Sequence, residues 1–240
     1  CKALELLVVH GRPARNVFHL EHIAQTGFAR RHYFFRIVAE EHERLTVGGF
    51  PVRRRFFEKA GGEVRLTPEG DPREILLMGG AEGAGHFVQA ARELLANTAS
   101  RVTLLCGRNE KLRGRLEEEL TPRYGERVRV LGFIHNMDEE MQTADLIVMR
   151  GSPNSAMEAA AMNRPLMIID ALPGQEAHNP RVLESHGLCV YQPDVERLAE
   201  TVRALFDPMS GMLEKQRAAQ RTYMNPDCAA NITEMILERI

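Results

Sequence analysis

From residue 74 onward, short apolar runs recur at regular intervals. They are Ile75-Leu76-Leu77-Met78, Val102-Thr103-Leu104-Leu105-Cys106, Val128-Arg129-Val130-Leu131, Leu146-Ile147-Val148-Met149, Leu166-Met167-Ile168-Ile169 and Leu188-Cys189-Val190-Tyr191. Each is short and bounded by turn residues. That pattern predicts strands buried on both faces, because a strand covered by helices above and below has no polar face to show. Between the runs, apolar residues return at helical spacing: Phe87, Ala90, Ala91, Leu94 and Leu95, then Leu112, Leu116 and Leu120, then Val195, Leu198, Val202 and Leu205. Asn179-Pro180 reads as an N-cap followed by proline at the first helical position, opening a helix that ends near Gly187. Asn225-Pro226-Asp227 interrupts the last helical region, and Ile232, Met235, Ile236 and Ile240 predict a final amphipathic helix. Strand–helix alternation of this kind predicts an α/β fold built on a doubly wound parallel sheet.

The first 73 residues follow no single period. Residues 4–9 read as a strand, 34–45 as a helix and 46–52 as a short strand and turn. Gly61-Gly62 and Thr67-Pro68-Glu69-Gly70-Asp71-Pro72 read as a linker-like breaker segment. The chain opens on Cys1 rather than Met, so a missing start or a longer polypeptide is expected.

Composition narrows the class without changing the fold. With 44% hydrophobic and 27% charged residues among 240, the chain can bury a core of ordinary size, and disorder is not its dominant state. No apolar run approaches the roughly 18 residues of a membrane-spanning helix, and no leader pattern argues for secretion. Thirty-one Lys and Arg against 33 Asp and Glu give a net charge of −2, which argues against a general nucleic-acid binder. The charge is uneven. Arg30-Arg31 and Arg53-Arg54-Arg55 lie among Phe34, Phe35, Phe56 and Phe57. This is either a solvated face over a partly buried aromatic edge or a surface that meets anionic lipid headgroups. Cys1, Cys106, Cys189 and Cys228 have no metal-ligand spacing. Cys106 and Cys189, inside apolar runs, read as small buried hydrophobes of a reducing compartment.

Ligands of an open parallel sheet bind beyond the carboxyl ends of its strands, so the loops there are the candidates for chemistry. Residues 79–85, Gly-Gly-Ala-Glu-Gly-Ala-Gly, follow a strand and open a helix, where glycines allow close backbone approach and free N–H groups face an anion. They fit neither the dinucleotide fingerprint nor the ATP-type phosphate loop, and a tight strand-to-helix turn explains them as well. Arg150-Gly151-Ser152-Pro153-Asn154-Ser155 leads into a helix containing Glu158. Ser152, Asn154, Ser155 and the first helical amides could hold a diphosphate, and Glu158 a ribose diol. Ser155-Ala156-Met157-Glu158 also reads as a capping box. In the loop after the fifth strand, Gln175-Glu176 reads as an exposed pair able to bond sugar hydroxyls. Gly107-Arg108-Asn109 and Gly132-Phe133-Ile134-His135-Asn136-Met137 face the same edge, the latter able to pair with a base while Phe133 packs beside it.

Together these elements resemble the carboxyl-terminal, nucleotide-sugar-binding half of the GT-B glycosyltransferases of glycosyltransferase family 28, with the monogalactosyldiacylglycerol synthases and bacterial diacylglycerol glucosyltransferases nearest. The resemblance covers roughly residues 46–240. It rests on Gly49-Phe50-Pro51-Val52-Arg53, Leu77-Met78-Gly79-Gly80-Ala81-Glu82-Gly83, Cys106-Gly107-Arg108-Asn109, Leu131-Gly132-Phe133, Asn136-Met137, Ala144-Asp145-Leu146 and Pro173-Gly174-Gln175-Glu176. It implies a Rossmann-like GT-B carboxyl-terminal domain at 46–240, with 1–45 a remnant or end of an acceptor-side domain.

The implied reaction is inverting: a lipid hydroxyl, such as that of diacylglycerol, displaces UDP from a UDP-hexose. The implied donor site sets uracil against Gly132, Phe133 and Ile134, ribose on Glu158 and diphosphate on Ser152, Asn154 and Ser155. Gln175 and Glu176 would meet the sugar, Gly80 and Gly83 would face the reacting centre, and Arg108, Asn109 and Met137 would complete the wall. Glu82 is the one catalytic candidate, the general base being expected in the amino-terminal domain. No metal or cofactor is expected, because helix dipoles and donors stabilise the leaving diphosphate, and no Asp-x-Asp occurs. A cytoplasmic location, or one peripheral to the inner face of the cell membrane, follows from the same resemblance. Ser152-Pro153-Asn154-Ser155 departs from the family, many of whose members carry Gly-Gly before a Thr there. Two other classes remain: a nucleotide-sugar epimerase of the same architecture, and a catalytically silent, truncated nucleotide-binding module.

Overall fold

A computed structural model describes residues 7–9, 45–47, 49–79, 86–174 and 176–238. Two short strands, β1 (Leu7–Val9) and β2 (Leu45–Val47), pair antiparallel with Leu7 opposite Val47. The helix expected at 34–45 lies outside the described residues, apart from Leu45, which opens β2.

All six expected strands form one parallel sheet: β3 (Glu74–Met78), β4 (Arg101–Leu105), β5 (Val128–Leu131), β6 (Leu146–Arg150), β7 (Leu166–Asp170) and β8 (Val190–Tyr191). Their order is β5-β4-β3-β6-β7-β8. The chain therefore winds outward from β3 in one direction, returns, and winds outward from β6 in the other. The reversal falls between β3 and β6, which pair Ile75 with Leu146 and Met78 with Met149.

Alternation along each strand builds two separate cores. Ile75, Leu77, Val102, Leu104, Leu146 and Val148 face helices α2 (His86–Asn97), α3 (Glu110–Tyr124) and α7 (Leu198–Phe206). Leu76, Met78, Leu105, Ile147, Met149 and Ile168 face α1 (Arg54–Glu58), α4 (Met137–Thr143), α5 (Pro153–Ala161) and α6 (Asn179–Ser185). Two-sided burial is why these strands carry no polar alternation. Cys106 and Cys189 are buried free thiols, and Cys228 is buried as well. Burial pushes the Cys106 thiol up to about 11 and raises Cys189 further.

Two expectations give way, and a third is met in part. Residues 67–72 are not a linker: Thr67 N–H donates to Asp71 O at 2.8 Å, Leu66 bridges Pro72, and the buried Asp71 carboxylate accepts from Ala99 N–H. The segment is sewn onto the amino-terminal edge of the sheet, where fully buried Asp145 also takes bonds from Glu74 N–H, Arg65 N–H and the Arg65 guanidinium. Second, Asn179 does not cap α6. His178 precedes that helix, and the Asn179 amide reaches back to Gly151 O at 3.0 Å. Third, the last two helices, α8 (Met212–Tyr223) and α9 (Cys228–Leu237), do flank the Asn225-Pro226-Asp227 break, but the apolar face of α9 is only partly covered. Ile232 is buried, whereas Ile236 and Leu237 are exposed.

Candidate functional site

The site is set by where strands β3, β4, β5 and β6 end. A cavity of about 290 Å³ opens there, floored by Met78 and Leu105, the last residues of β3 and β4. Its walls are Gly107, Arg108, Phe133, Ile134, Met137 and, from α5, Ser155. It lies beside the point where the winding reverses, the place where a parallel sheet leaves room for a ligand because neighbouring connections depart to opposite faces.

Its rim is aromatic and cationic. Phe133 is 52% exposed, with the Arg108 guanidinium 5.0 Å from its ring centroid and His135 edge-on at 5.0 Å. A half-exposed ring beside an apolar floor is a stacking surface for a flat ligand. Asn109, expected to touch the ligand, commits its side-chain oxygen to capping α3 through Leu112 N–H at 2.9 Å. A Cβ at Gly132 would meet Glu110 Oε1 at 2.8 Å, the far end of an exposed side chain that can move aside.

The phosphate-turn candidate begins at the end of β6. Gly151 packs under α6 so closely that a Cβ would meet Pro180 Cγ at 2.9 Å. Ser152 then precedes a helix whose first residue is Pro153, and the first intrahelical bond runs from Ala156 N–H to Ser152 O at 3.0 Å. Ser155 is therefore the third residue of α5 rather than its cap, which overturns the capping-box reading. Proline has no N–H to offer, so the amides of Asn154 and Ser155 are the ones that the helix leaves without an acceptor. They sit at the positive end of a nine-residue helix.

Glu158 lies one turn further. Its side chain is only 14% exposed, and its Oε1 accepts from Arg53 Nη2 at 2.5 Å and Arg53 Nε at 3.2 Å. Arg53 in turn lies 4.9 Å from the ring centroid of fully buried Phe56. The basic-aromatic cluster seen in the sequence is thus, in its described half, a packed and paired one: Arg54 meets Glu58, Arg55 meets Asp138, and Phe56 is core. Lys59 also reaches Asp138, at 2.6 Å, and its hydrogen bond is the main reason that this carboxyl is held below the usual range, with Arg55 adding to it. Arg30, Arg31, Phe34 and Phe35 lie outside the described residues.

Glu176 differs from its expected exposure. It is buried, its Oε2 is 3.0 Å from Arg150 Nε at the end of β6, and the same oxygen accepts from Leu172 N–H. This ion pair ties the loop after β7 to the end of β6, where the turn into α5 begins. Gln175, Gly80, Glu82 and Gly83 lie outside the described residues.

Arg108, Phe133, Ile134, Met137 and Ser155, all singled out from the sequence, therefore meet around one cavity, with Ser152, Asn154 and Glu158 on the same helix start. Sequence reading missed the floor, Met78 and Leu105, and the two cations Arg53 and Arg150. The floor residues were legible as strand ends; the cations became visible only through their carboxylate partners. A larger cavity, about 430 Å³, lies among Arg65, Glu74, Arg101, Arg129 and Glu140. Three of its arginines are paired with carboxylates, Arg65 with Asp145, Arg101 with Glu74 and Arg129 with Glu140, and Arg127 donates to the carbonyls of Leu95, Thr98 and Ser100.

Comparison with known proteins agrees with this fold. Residues 74–232 match the glycosyltransferase family 28 C-terminal domain. The chain is 29% identical to the chloroplastic monogalactosyldiacylglycerol synthase of Spinacia oleracea over 82% of its own length and 39% of that protein. It is 28% identical to a processive diacylglycerol beta-glucosyltransferase of Bacillus cytotoxicus over 82% of its own length and 51% of that protein. The chain thus spans at most about half the length of these relatives. Among solved structures, MurG of Acinetobacter baumannii shares the fold with a TM-score of 0.53 at 19% identity, covering 78% of this chain and 54% of that one. A putative UDP-N-acetylglucosamine 2-epimerase from Listeria monocytogenes does so with a TM-score of 0.56 at 18% identity, covering 76% and 50%. With its strand order and the extent of the match, the chain belongs to glycosyltransferase family 28, whose C-terminal domain it carries.

Proposed function

We propose that the cavity over the ends of β3 and β4 is the donor site of a UDP-sugar-dependent, inverting glycosyltransferase that passes a hexosyl group to a lipid acceptor such as diacylglycerol. The observation that carries this reading is the convergence of five sequence-assigned residues on one apolar slot beside the free amides of α5. The names of the relatives, a galactosyl and a glucosyl transferase of diacylglycerol, support the substrate class.

In this reading uracil enters the slot against Phe133 and Ile134, the ribose diol meets Glu158, and the diphosphate lies on the Asn154 and Ser155 amides. An acceptor oxygen attacks the anomeric carbon from the face opposite the diphosphate. The bond from that carbon to the phosphate oxygen breaks, its electron pair leaves with UDP, and the acceptor proton passes to a base. Positive charge at the helix start, with Arg150 beside it, stabilises the departing diphosphate, the work a bound metal does in other designs. Gln175 and Glu176 would face the sugar, the latter through the Arg150 pair, and Gly80, Glu82 and Gly83 the reacting centre. Residues 46–240 form the nucleotide half, and 1–45 end an acceptor-side domain whose remainder, with the base, belongs to the part of the relatives this chain does not span. No described helix is long and apolar enough to cross a membrane, and a lipid acceptor calls for peripheral contact with the membrane's inner face.

Calorimetric titration with UDP, UDP-glucose, UDP-galactose and NAD tests the reading. The expected result is binding of UDP and one UDP-hexose, none of NAD, and a UDP affinity lowered at least tenfold by Glu158→Ala, about the loss of one charge-assisted hydrogen bond. NAD binding without UDP binding would overturn it. UDP binding with no sugar transfer to diacylglycerol in vesicles would leave a nucleotide-binding module.

A further inference from the structure

We infer that the arginine-lined cavity at the amino-terminal edge of the sheet is a second ligand site, one that takes a small phosphorylated polyol of the sugar-phosphate class. It is separate from the donor slot. The slot lies over the last residues of β3 and β4, whereas Glu74 and Arg101, the first residues of the same strands, line this cavity. The inference does not depend on the donor-site reading.

Strand register builds the site. Arg101 and Thr103 of β4 and Arg129 of β5 alternate onto the same face as Leu105 and Leu131. Glu74 pairs with Arg101, Thr103 pairs with Arg129, and Arg127 stands one residue ahead of Val128, the partner of Val102. The helix on this side, α4, is seven residues long, and the cavity of about 430 Å³ lies beside its Glu140. Arg101, Arg127 and Arg129 thus crowd one corner of a sheet face, where like charges on neighbouring strands repel.

Internal hydrogen bonds use only part of each guanidinium. Arg127 donates through Nε and Nη2 to the carbonyls at the end of α2 and at Ser100. Arg129 donates through Nε to Thr103 Oγ1 and through Nη2 to Glu140 Oε2, and Arg101 through Nη1 to Glu74 Oε1 at 3.3 Å. Arg65, the fourth arginine, is taken up by Asp145 and the Thr143 carbonyl. Among the described residues, Nη1 of Arg127 and Arg129 and both Nε and Nη2 of Arg101 have no acceptor. Glu74 Oε2, Glu140 Oε1 and both oxygens of Glu126, which line the same cavity, accept nothing there. Donors and acceptors without partners therefore face one space.

That mixture selects the ligand. Phosphate oxygens accept from planar guanidinium groups, and hydroxyl groups donate to carboxylates. A bare anion has no proton to give the three glutamates, and a neutral sugar leaves the arginines without a counter-charge. The volume also exceeds what a lone phosphate ion fills and lies within the range of small-molecule sites.

A merely solvated, charged groove is the rival explanation, and it gives no saturable binding. Calorimetric titration with glucose 6-phosphate, inorganic phosphate and glucose separates the two, using the wild type, Arg101→Gln and Arg129→Gln, with thermal midpoints and UDP affinities alongside. The two arginine side chains are 52% and 54% exposed, so their ion pairs add little stability and the thermal midpoints should stay similar. Glucose 6-phosphate should bind the wild type at least tenfold more tightly than inorganic phosphate, and glucose should not bind. Each variant should weaken glucose 6-phosphate about tenfold, the scale of one hydrogen bond to a charged group, and leave UDP affinity unchanged. Saturating UDP should not displace the sugar phosphate. Absence of saturable heat with glucose 6-phosphate overturns the inference. So does an affinity no better than that of inorganic phosphate, an affinity unchanged in Arg101→Gln, or displacement by UDP, which would place the ligand in the slot.

Discussion

The Lys59–Asp138 pair shows how single residues hold the site's walls in place. Lys59 follows α1, and Asp138 is in the first turn of α4, the helix that brings Met137 to the cavity. The hydrogen bond from Lys59 lowers the Asp138 pKa below its unfolded value of about 3.9. A group lowered in this way stabilises the fold above its unfolded pKa, and the contribution disappears as pH falls through the folded value. Lys59→Met should therefore lower the urea midpoint at pH 7, with the gap to wild type closing below about pH 3.9. A gap that does not change with pH would mean that Lys59 acts through packing of its alkyl chain. Nothing in the sequence announced this pair: the two residues are 79 positions apart, and each alone reads as surface charge. The same is true of Arg150 and Glu176, where the sequence suggested an exposed Gln-Glu pair and the fold buries the glutamate against a strand-end arginine.

At the scale of elements, the two helix starts beside the cavity separate capping from binding. Asn109 caps α3, whereas Ser155 is inside α5 and caps nothing. Asn109→Ala should cost about 1 kcal/mol of stability, the usual value of a lost N-cap. Ser155→Ala should change stability by no more than about 0.5 kcal/mol and still weaken UDP. Denaturant melts of both variants beside UDP titrations make the comparison, and a loss of 1–2 kcal/mol from Ser155→Ala would restore the capping box. The sequence misled here because Ser-x-x-Glu satisfies the capping pattern, while Pro153, with its preset φ, had already started the helix two residues earlier. Proline also misled at Asn179, where the polar residue before it bonds a neighbouring loop rather than its own helix.

Over the whole molecule, the sheet was the most legible feature and the first 73 residues the least. Strands such as Ile75-Leu76-Leu77-Met78 and Leu166-Met167-Ile168-Ile169 are continuous apolar runs because both faces are covered, and that signal needs no knowledge of partners. Residues 67–72 carry Gly and Pro, which read as a linker. What holds them is the long-range bond from Ala99 N–H to Asp71, with Asp145 holding Arg65 and Glu74 on either side, all invisible to any local pattern. The strand order could not be read from periodicity, yet it decides the site, since only the reversal between β3 and β6 opens a cleft at the strand ends.

The account stands or falls on which cavity takes the nucleotide. A crystal structure of the chain soaked with UDP answers that directly. The expected density places uracil among Gly107, Phe133 and Ile134, the ribose against Glu158 and the diphosphate at the Asn154 and Ser155 amides. Density for UDP in the arginine-lined cavity between Arg101 and Arg129 instead, with the slot beside β3 empty, would contradict it.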